Sequence, residues 1–494
     1  MVSVFKAIRV LMTLGVGLLI FLTLQYLSGA QGDPSSSISQ TPIGAFGPGT
    51  GLPDGYVEDA HKLADADGFL AHLKAVTRIP GISMNTVKAG CDWDSSEQVN
   101  FQYDETPKWV REDRTDGELD RRRREWHKFI LNGLIPYKEH STSWEGKGIV
   151  IVAGGAKGRE QIKVILKALD KAQSTLPVEV HFWDDEISPA DQQQLTTAWN
   201  RVSFNNLKNS SAQNIVKTEY NPFVHNYQLK TAAVINSKFS EILLLDSDNV
   251  PVMAPEALFD SEVYKEYGTV FWPDIARTRP NNPIWAITNT VCKKDEFEQE
   301  SGQLLVNKNK YFYHLQLAAW MIAAEQSKYY NEFLLGDKDM FRFAWHALRT
   351  RFGKPKKWVK TVGMVHEDIY CGHSFAQHHP DSWNGSIAFI HAGLTKLIPK
   401  DFLVWQRTIN GGIFQAYQAA PDEEDWTTTQ SVGLKIDELT YWSMRPESIK
   451  FVQCNEMRGL KSKPLDEVLP KYDAFFEEIG GYTMLEEFFG GKEP

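Results

Sequence analysis

Short apolar runs alternate with amphipathic segments from Gly148 onward, and this alternation constrains the fold more than any other feature. The run GIVIVAGG begins at Gly148, and VEVHFW covers residues 178–183. Both have the β-branched, apolar composition of buried parallel strands. Between them, residues from about 160 to 172 place apolar side chains on one face of a predicted helix. We therefore predict an α/β fold with a mixed, mostly parallel sheet flanked by helices and with ligands at the carboxyl ends of the strands.

The same alternation continues through the middle of the chain. Further strands are predicted at EILLL, GTVFWPD and AFIHAG, residues 241–245, 268–274 and 388–393, and helices at about 223–236 and from near Tyr313 and Lys338. These elements define a predicted catalytic domain over residues 146–420. Residues 59–145 are predicted to form a helical N-terminal region, and residues 421–494 a C-terminal extension.

The N-terminus carries a candidate membrane segment. Lys6 and Arg9 precede an apolar run of 18 residues, 10–27, which is near the lower limit for spanning a bilayer. Positive charge on its N-terminal side would keep residues 1–9 in the cytoplasm as a tail. We predict a transmembrane signal-anchor at 10–27 and a flexible Gly/Pro/Ser-rich stem at 28–58. A signal peptide cleaved near Ser28-Gly29-Ala30 is the alternative, and both interpretations place the rest of the chain outside the cytosol.

Two further features fit a location outside the cytosol. Asn209 and Asn384 each begin an Asn-x-Ser tripeptide and are candidate glycosylation sites. Four cysteines all follow the apolar run, and none forms a closely spaced pair of the kind that binds zinc: Cys91, Cys292, Cys371 and Cys454. Four cysteines allow three disulfide pairings, and the sequence does not choose among them.

One acidic triplet has the context of a metal site. Asp246-Ser247-Asp248 directly follows the apolar strand EILLL, unlike the other three Asp-x-Asp triplets of the chain. Alternate residues of an extended chain point the same way, so both carboxylates can approach one cation. Hard oxygen ligands suit Mn²⁺ or Mg²⁺, which often bridges substrate phosphates. In a nucleotide-sugar glycosyltransferase, such a metal neutralises the departing diphosphate.

Two other functions stay open at this point. A haloacid-dehalogenase-type phosphatase would use Asp246 as its nucleophile. However, that motif normally ends the first strand of its domain, whereas two predicted strands precede Asp246 here. A non-catalytic glycan-binding Golgi subunit is the second alternative. The net charge of −10 argues against a nucleic-acid-binding protein, because no dominant basic surface is available.

A series of motifs resembles a known family. In order along residues 120–420, the chain contains LLLDSDNVPV, LFDSEVYKEYGTVFWPD, NNPIW, ESGQLLVNK, GDKDMFRFAW and YCGHSFAQ. These resemble the fungal mannan-type α-mannosyltransferases of glycosyltransferase family 71, closest to the α-1,2 branch-initiating group. The resemblance implies a Rossmann-like GT-A fold and retaining transfer of mannose from GDP-mannose to a mannoside or glycan acceptor. Mn²⁺ (or Mg²⁺) is the implied cofactor.

The resemblance also implies a cellular setting. Members act in cell-wall mannan synthesis or protein glycosylation as single-pass type II proteins of the Golgi membrane, with a luminal catalytic domain. The implied partners are the membrane, through one N-terminal helix, and other subunits of a Golgi mannosyltransferase complex. The linkage, α-1,2 or α-1,3, and the natural acceptor stay open.

By the same resemblance, Asp246 and Asp248 are expected at the metal and the diphosphate. His391, in AFIHAGLTK, is expected as the third metal ligand, with a structural histidine beside a strand as the alternative. Lys396 is expected at a phosphate. Related retaining enzymes have His-x-x-Gly-x-x-Lys, whereas here Gly393 comes one residue early, which weakens the assignment of Lys396 more than that of His391.

The remaining donor-site candidates follow from their positions. Gly154 and Gly155 end the first strand, where backbone can approach a nucleotide. Lys230, on the helix before the metal strand, is a candidate for the diphosphate, with a surface lysine as the alternative. Trp272 and Asp274 end the next strand and are candidates for stacking on the sugar and binding its hydroxyls, with core packing as the alternative for Trp272.

Three acidic residues complete the candidate catalytic set. Glu300, Asp337 and Asp339 are candidates for positioning the acceptor or for facing the donor sugar on its β side. For Asp337, which starts a predicted helix, the alternative is an N-cap.

Overall fold

The computed structural model describes residues 51–91, 106–208, 214–219, 225–366, 369–398, 400–419, 432–438, 451–457 and 461–488. The predicted tail, anchor and most of the stem lie outside these ranges, as does Asn209. Within them, no helix is long and apolar enough to cross a membrane. The predicted domain boundaries stay predictions.

The strands alternate with helices up to residue 273, as predicted. In chain order they are β1 (Lys147–Val152), β2 (Val178–Phe182), β3 (Val202–Asn206), β4 (Glu241–Asp246), β5 (Asn249–Pro251), β6 (Thr269–Pro273), β7 (Gln299–Asn307), β8 (Lys360–His366), β9 (Ile369–His378), β10 (Ile387–His391), β11 (Ala416–Ala419), β12 (Val432–Glu438), β13 (Phe451–Met457) and β14 (Lys461–Pro464).

The first sheet is mixed and mostly parallel, which confirms the predicted fold class. Its order is β3-β2-β1-β4-β7-β6. The pairs β3–β2, β2–β1 and β1–β4 are parallel, whereas β7 pairs antiparallel with both β4 and β6. The apolar stretch of β4 is buried on both faces, as expected of a central strand.

The second sheet was not predicted. It is antiparallel, with the order β12-β13-β9-β8-β11-β14, and β10 pairs with β9 and with the short strand β5. We had expected residues 388–393 to add to a parallel sheet, but β10 instead runs antiparallel to both of its partners. Since β5 begins three residues after β4 ends, the two sheets are adjacent immediately after the Asp-Ser-Asp triplet.

Helices cover both faces of the first sheet. They are α1 (Ala66–Val76), α2 (Met84–Lys88), α3 (Lys108–Arg111), α4 (Asp116–Asn132), α5 (Gly155–Lys171), α6 (Pro189–Ala198), α7 (His225–Asn236), α8 (Glu256–Phe259), α9 (Glu262–Tyr267), α10 (Pro283–Ile287), α11 (Lys308–Ile322), α12 (Ala324–Tyr330), α13 (Lys338–Ala347), α14 (Lys400–Ile409), α15 (Tyr472–Glu478) and α16 (Gly481–Phe488). Helix α5 begins about five residues earlier than predicted, with Gly154 as its N-cap and Gly155 as its first residue.

The hydrophobic core has two parts, one on each face of the first sheet. Alternate residues of β4 enter different parts: Ile242 and Leu244 pack with the aromatic residues of α10, α11 and α13, and Leu243 and Leu245 pack with α5 and the second sheet. This division follows from the two-residue period of a strand. The sheet is therefore covered by packed side chains on both sides, and its carboxyl edge is left for a site.

The N-terminal region packs onto the central part of the chain. A disulfide joins Cys91 to Cys292, 201 residues later in the sequence. Arg123, on α4, is buried and donates hydrogen bonds to the backbone carbonyls of Ile82 and Ala286. Arg123 therefore holds α4 against the segment around Ile82 and against α10. Of the three pairings open to the sequence, the one that joins Cys91 to Cys292 is found.

Candidate active site

A cleft of about 360 Å³ lies at the carboxyl ends of β1 and β4. The register pairs Val152 with Asp246, so the last residues of both strands meet at its floor. The first turns of α5, residues of α7, and Lys396 complete the lining. The cleft is therefore where an α/β sheet of this topology is expected to bind a ligand.

Three predicted metal ligands come together at this cleft. One ligand atom from each of Asp246, Asp248 and His391 lies within 4.8 Å of the others, and we call this set the metal cluster. His391 Nε2 is 3.1 Å from Asp248 Oδ1. Two carboxylates and one imidazole are donors that suit Mn²⁺ or Mg²⁺, so the residues present fit the predicted cofactor.

The register between the two sheets brings His391 to the cluster. In the antiparallel β5–β10 pair, His391 lies opposite Asn249, the residue that follows Asp248. The next backbone N–H, of Ala392, donates to the carbonyl of Asp248 at 3.0 Å. The histidine is thus fixed to the Asp-Ser-Asp triplet by main-chain pairing, although 143 residues separate His391 from Asp248.

Two lysines balance the charge of the aspartates. Lys230 Nζ lies 2.7 Å from Asp246 Oδ1, and Lys396 Nζ lies 3.2 Å from Asp248 Oδ2. Burial opposes the charge of Asp248, but His391 and Lys396 outweigh it and hold the pKa of this carboxyl well below its usual range. Burial, followed by the neighbouring Asp248, raises the pKa of Asp246, although Lys230 opposes this shift. The pKa values of Asp246 and Asp248 are therefore shifted in opposite directions.

The glycines predicted to meet the donor form the turn from β1 into α5. Gly155 has φ +68°, a conformation that favours glycine, and its N–H donates to the carbonyl of Glu186. At Gly154, a Cβ would lie only 2.1 Å from Glu186 Oε2. Gly154 lines the cleft beside the N-terminus of α5, the end of a helix that favours anions.

Trp272 is a correction to the sequence-based candidates. Its side chain is fully buried, its Nε1 donates to the carbonyl of His378 at 2.8 Å, and its ring packs edge-on against Phe389. A ring enclosed in this way cannot stack on a sugar, so core packing explains this tryptophan.

Asp274 is half-buried and already paired. Its Oδ2 lies 2.6 Å from Lys338 Nζ, which also contacts Glu298 at 2.8 Å. Burial raises the pKa of Asp274, although Lys338 opposes this effect. Asp274 therefore belongs to a charged group with Lys338 and Glu298, and it is not among the residues that line the cleft.

Asp337 and Asp339, two further acidic candidates, have separate environments. Asp337 occupies the N-cap position of α13, but its side chain makes no capping hydrogen bond and instead lies 3.3 Å from Lys230 Nζ. Asp339 is buried and is neutralised by Arg342, with Asp339 Oδ1 also accepting the N–H of Gln299. Asp339 is thus a structural residue in this fold, whereas Asp337 reaches the cleft through Lys230.

The cleft also contains residues that the sequence interpretation did not select. Lys157 and Gln161, one turn apart on α5, both line it, and Gln161 accepts a hydrogen bond from Ser247 at 3.0 Å. The sequence interpretation also did not select Lys338, although this residue lies between the candidates Asp337 and Asp339 in the sequence. For Lys157 and Gln161 the sequence does contain an indication: they lie four residues apart, on one face of the helix that follows the glycine turn.

The second glycosylation candidate, Asn384, lies in an exposed turn. Its Oδ1 accepts a hydrogen bond from Ser382 at 2.6 Å. The side chain is accessible, and its modification stays a prediction.

Comparisons with known proteins agree with the motifs. A family model described as that of a mannosyltransferase matches residues 146–296 and 285–379. The chain is 27% identical over 317 residues to alpha-1,2-mannosyltransferase MNN23 of Candida albicans, covering 53% of this chain and 51% of that one. It is also 27% identical over 299 residues to alpha-1,2-mannosyltransferase MNN2 of Saccharomyces cerevisiae, covering 51% of this chain and 48% of that one.

Among solved structures, the glycosyltransferase GlyE of Streptococcus pneumoniae is 14% identical, with a TM-score of 0.30, and the alignment covers 43% of this chain and 46% of that one. A likeness of this size supports no statement about the site. The chain spans about half the length of the curated relatives named above. The sequence matches support the prediction of a glycosyltransferase enzyme. A mannosyltransferase family model thus matches residues 146–379, and the resemblance to the fungal α-mannosyltransferases is confirmed.

Proposed function

We propose that this protein is an α-mannosyltransferase that transfers mannose from GDP-mannose to a mannoside or glycan acceptor, with retention of the α configuration and with Mn²⁺ or Mg²⁺ as cofactor. The observation that carries the proposal is the metal cluster at the cleft: two carboxylates at the end of β4 meet an imidazole from β10. The named relatives, which are α-1,2-mannosyltransferases, support mannose as the sugar and α-1,2 as the linkage.

The same proposal assigns the GT-A fold. Support comes from the parallel order β3-β2-β1-β4 and from the position of Asp246 and Asp248, which end the central strand and continue directly into β5. In this arrangement a nucleotide would lie along the carboxyl ends of the strands, against the turn at Gly154.

The chain supplies charge where a diphosphate would leave. When bound, the metal would neutralise the departing diphosphate as a Lewis acid. Lys396 lies beside Asp248 on the lining of the cleft, and Lys157 lies on the first turn of α5. Burial, followed by the nearby Lys396, lowers the pKa of Lys157, which places the two ammonium groups in one neighbourhood. These two lysines and the helix N–H groups can hold an anion, while Lys230 holds Asp246 in position.

The cellular setting is part of the proposal. We place the protein in the Golgi membrane as a single-pass type II protein with a luminal catalytic domain, acting in mannan synthesis or protein glycosylation within a mannosyltransferase complex. Support comes from the basic-then-apolar order of residues 1–27, and the disulfide between Cys91 and Cys292 fits an oxidising compartment.

Replacing Asp248 tests the function. We expect Asp248→Asn to lower mannose transfer from GDP-mannose by at least about 100-fold, because one of two negative ligands is lost. The assay uses labelled GDP-mannose, short mannosides and Mn²⁺, and NMR of the product identifies the linkage. EDTA should abolish transfer by the wild type.

Asp67→Asn is the matched control, because it changes an Asp-x-Asp triplet in α1, outside the cleft, and should retain full transfer. Full activity of Asp248→Asn or resistance to EDTA would contradict the metal assignment. Phosphate release without any nucleotide sugar would instead favour the phosphatase hypothesis, and glycan binding without turnover would favour a non-catalytic subunit.

A further inference from the structure

The imidazole of His391 lies between two carboxylates. Its Nε2 faces Asp248 Oδ1 at 3.1 Å, and its Nδ1 faces Glu300 Oε1 at 3.4 Å. Both acids are largely buried, with about one-eighth of each side chain exposed. Within the described part of the chain, Nδ1 is buried and makes no hydrogen bond, and Glu300 Oε1, at 3.4 Å, is the carboxylate oxygen that this side of the ring faces.

The backbone holds Glu300 in this position. Two residues further along β7, the N–H of Gly302 donates to the same Oε1 at 2.8 Å. This bond fixes the carboxylate oxygen independently of the histidine. The position of Glu300 Oε1, the oxygen that faces the ring, is therefore fixed by the backbone of β7.

Gly302 also provides the space that the ring occupies. A Cβ at this position would lie 2.8 Å from both Cε1 and Nδ1 of His391, closer than real contacts allow. The strand is thus shaped around the imidazole, with a glycine below the ring and a carboxylate at its edge. Two separate features of β7 point to the same function of this segment.

We infer that Glu300 is a positioning residue that holds the Nδ1–H of His391 and so directs Nε2 at the metal. A histidine ligand binds a metal through a nitrogen that carries no proton, and a carboxylate on the other nitrogen fixes the tautomer and the ring plane. This assignment differs from the sequence-based hypothesis, in which Glu300 contacts the donor sugar or the acceptor. It rests on the metal site of the proposed function.

The experiment measures Mn²⁺ binding directly rather than through turnover. Mn²⁺ alone is titrated into the full chain, and free Mn²⁺ is followed by EPR. Loss of an outer-sphere partner of this kind typically costs about 10–100-fold in metal affinity, so we expect Glu300→Ala to raise the Kd for Mn²⁺ within that range. Glu300→Gln keeps an oxygen that can accept the Nδ1–H and should stay within about threefold of the wild type.

A spectroscopic readout separates positioning from general destabilisation. Pulsed EPR of bound Mn²⁺ detects a directly coordinated imidazole nitrogen. We expect this signal in the wild type and in Glu300→Gln, a weaker signal in Glu300→Ala, and none in His391→Ala. Glu298→Ala is the matched control: Glu298 is a more deeply buried acid nearby in the chain that contacts Lys338 instead of His391, and its removal should leave the signal and the Kd unchanged.

Each outcome decides the inference. If the wild type binds Mn²⁺ and Glu300→Ala binds it equally well with the same nitrogen signal, Glu300 does not position His391. Unchanged Mn²⁺ affinity with a large loss of transfer would return Glu300 to direct contact with a substrate. If the wild type binds no Mn²⁺ but still transfers mannose, the metal part of the proposed function fails and this inference fails with it.

Discussion

At the scale of single residues, Lys230 holds together acids that would otherwise repel one another. Its ammonium contacts Asp246 at 2.7 Å and Asp337 at 3.3 Å, with 16% of its side chain exposed. Burial alone would lower the pKa of Lys230, but the two carboxylates outweigh burial and raise it, so the ammonium stays charged. A lysine in a helix is ordinarily a surface residue, and only the three-dimensional proximity of the acids explains why this one is inside.

Trp272 provides a test of core packing against sugar binding. We expect Trp272→Phe to lower the free energy of unfolding by about 1–3 kcal/mol, since the hydrogen bond to the carbonyl of His378 is lost and a small cavity forms. The Michaelis constant for GDP-mannose should stay unchanged. Urea unfolding and donor-dependent kinetics measure the two quantities.

Trp345→Phe is the matched control, because Trp345 is equally buried on the other face of the first sheet. A tenfold increase in the Michaelis constant for Trp272→Phe alone, without loss of stability, would mean that Trp272 meets the sugar after all.

At the scale of elements, strand β2 carries a buried acid whose ionisation stabilises the fold. Glu179 Oε2 lies 3.2 Å from His181 Nε2 and accepts the N–H of Lys238 at 3.1 Å. Burial opposes the charge, but the hydrogen bond and charge of His181 outweigh it and lower the pKa of Glu179 from 4.5 to about 2. The folded state therefore binds the proton less readily than the unfolded state.

This shift predicts an acid-sensitive contribution to stability. Because the folded pKa is below the unfolded one, the contribution is present above about pH 4.5 and is lost as the pH falls toward 2. We expect the wild type to lose about 2 kcal/mol between pH 5 and pH 3 relative to Glu179→Gln, which has no carboxylate to titrate at this position. Urea unfolding of both proteins across this range measures the difference, and a constant difference would contradict the shift.

The elements also show how far the sequence predicts the fold. Strands β1, β2, β4 and β6 were predicted because each is a dense apolar run between turn residues. Strand β7 was not, since its first half, QESGQ, is polar where it serves the site. Strands β8 and β9 were not predicted either. Both mix apolar residues with glycine and histidine, and β9 also contains serine, so neither presents the continuous apolar run that identifies a buried strand.

The residues of the site also fall into those that the sequence identifies and those that it does not. Asp246 and Asp248 were identified because both lie at the end of one recognisable strand. The role of Glu300 depends on its distance to His391, and the burial of Asp339 depends on Arg342, a partner one helical turn away. The Glu300–His391 contact is set by tertiary packing and cannot be read from spacing, whereas the Asp339–Arg342 pair lies at a helical spacing that the sequence interpretation did not use.

At the scale of the whole molecule, the disulfide between Cys91 and Cys292 ties the N-terminal helices to the segment between β6 and β7. It closes a loop of 201 residues. Loop-closure entropy gives a stabilisation of up to roughly 5 kcal/mol for a loop of this length. We expect the double variant Cys91→Ser/Cys292→Ser to unfold at a lower guanidinium concentration and to be cleaved faster by trypsin within residues 51–91.

Transfer activity per folded molecule should persist in this variant, because neither cysteine lines the cleft. An unchanged unfolding midpoint would show that packing alone fastens the N-terminal region, for example through the buried Arg123 and its contacts with Ile82 and Ala286.

The three-residue pairing of β5 with β10 has a consequence for the biogenesis of the protein. It unites Asp248 with His391 across 143 residues of chain, so the imidazole arrives only when the second sheet has formed. Before β10 has paired, Asp246 can already contact Lys230, but Asp248 lacks the nearby imidazole of His391. The three candidate ligands of the metal cluster are therefore assembled only in a chain whose second sheet has formed.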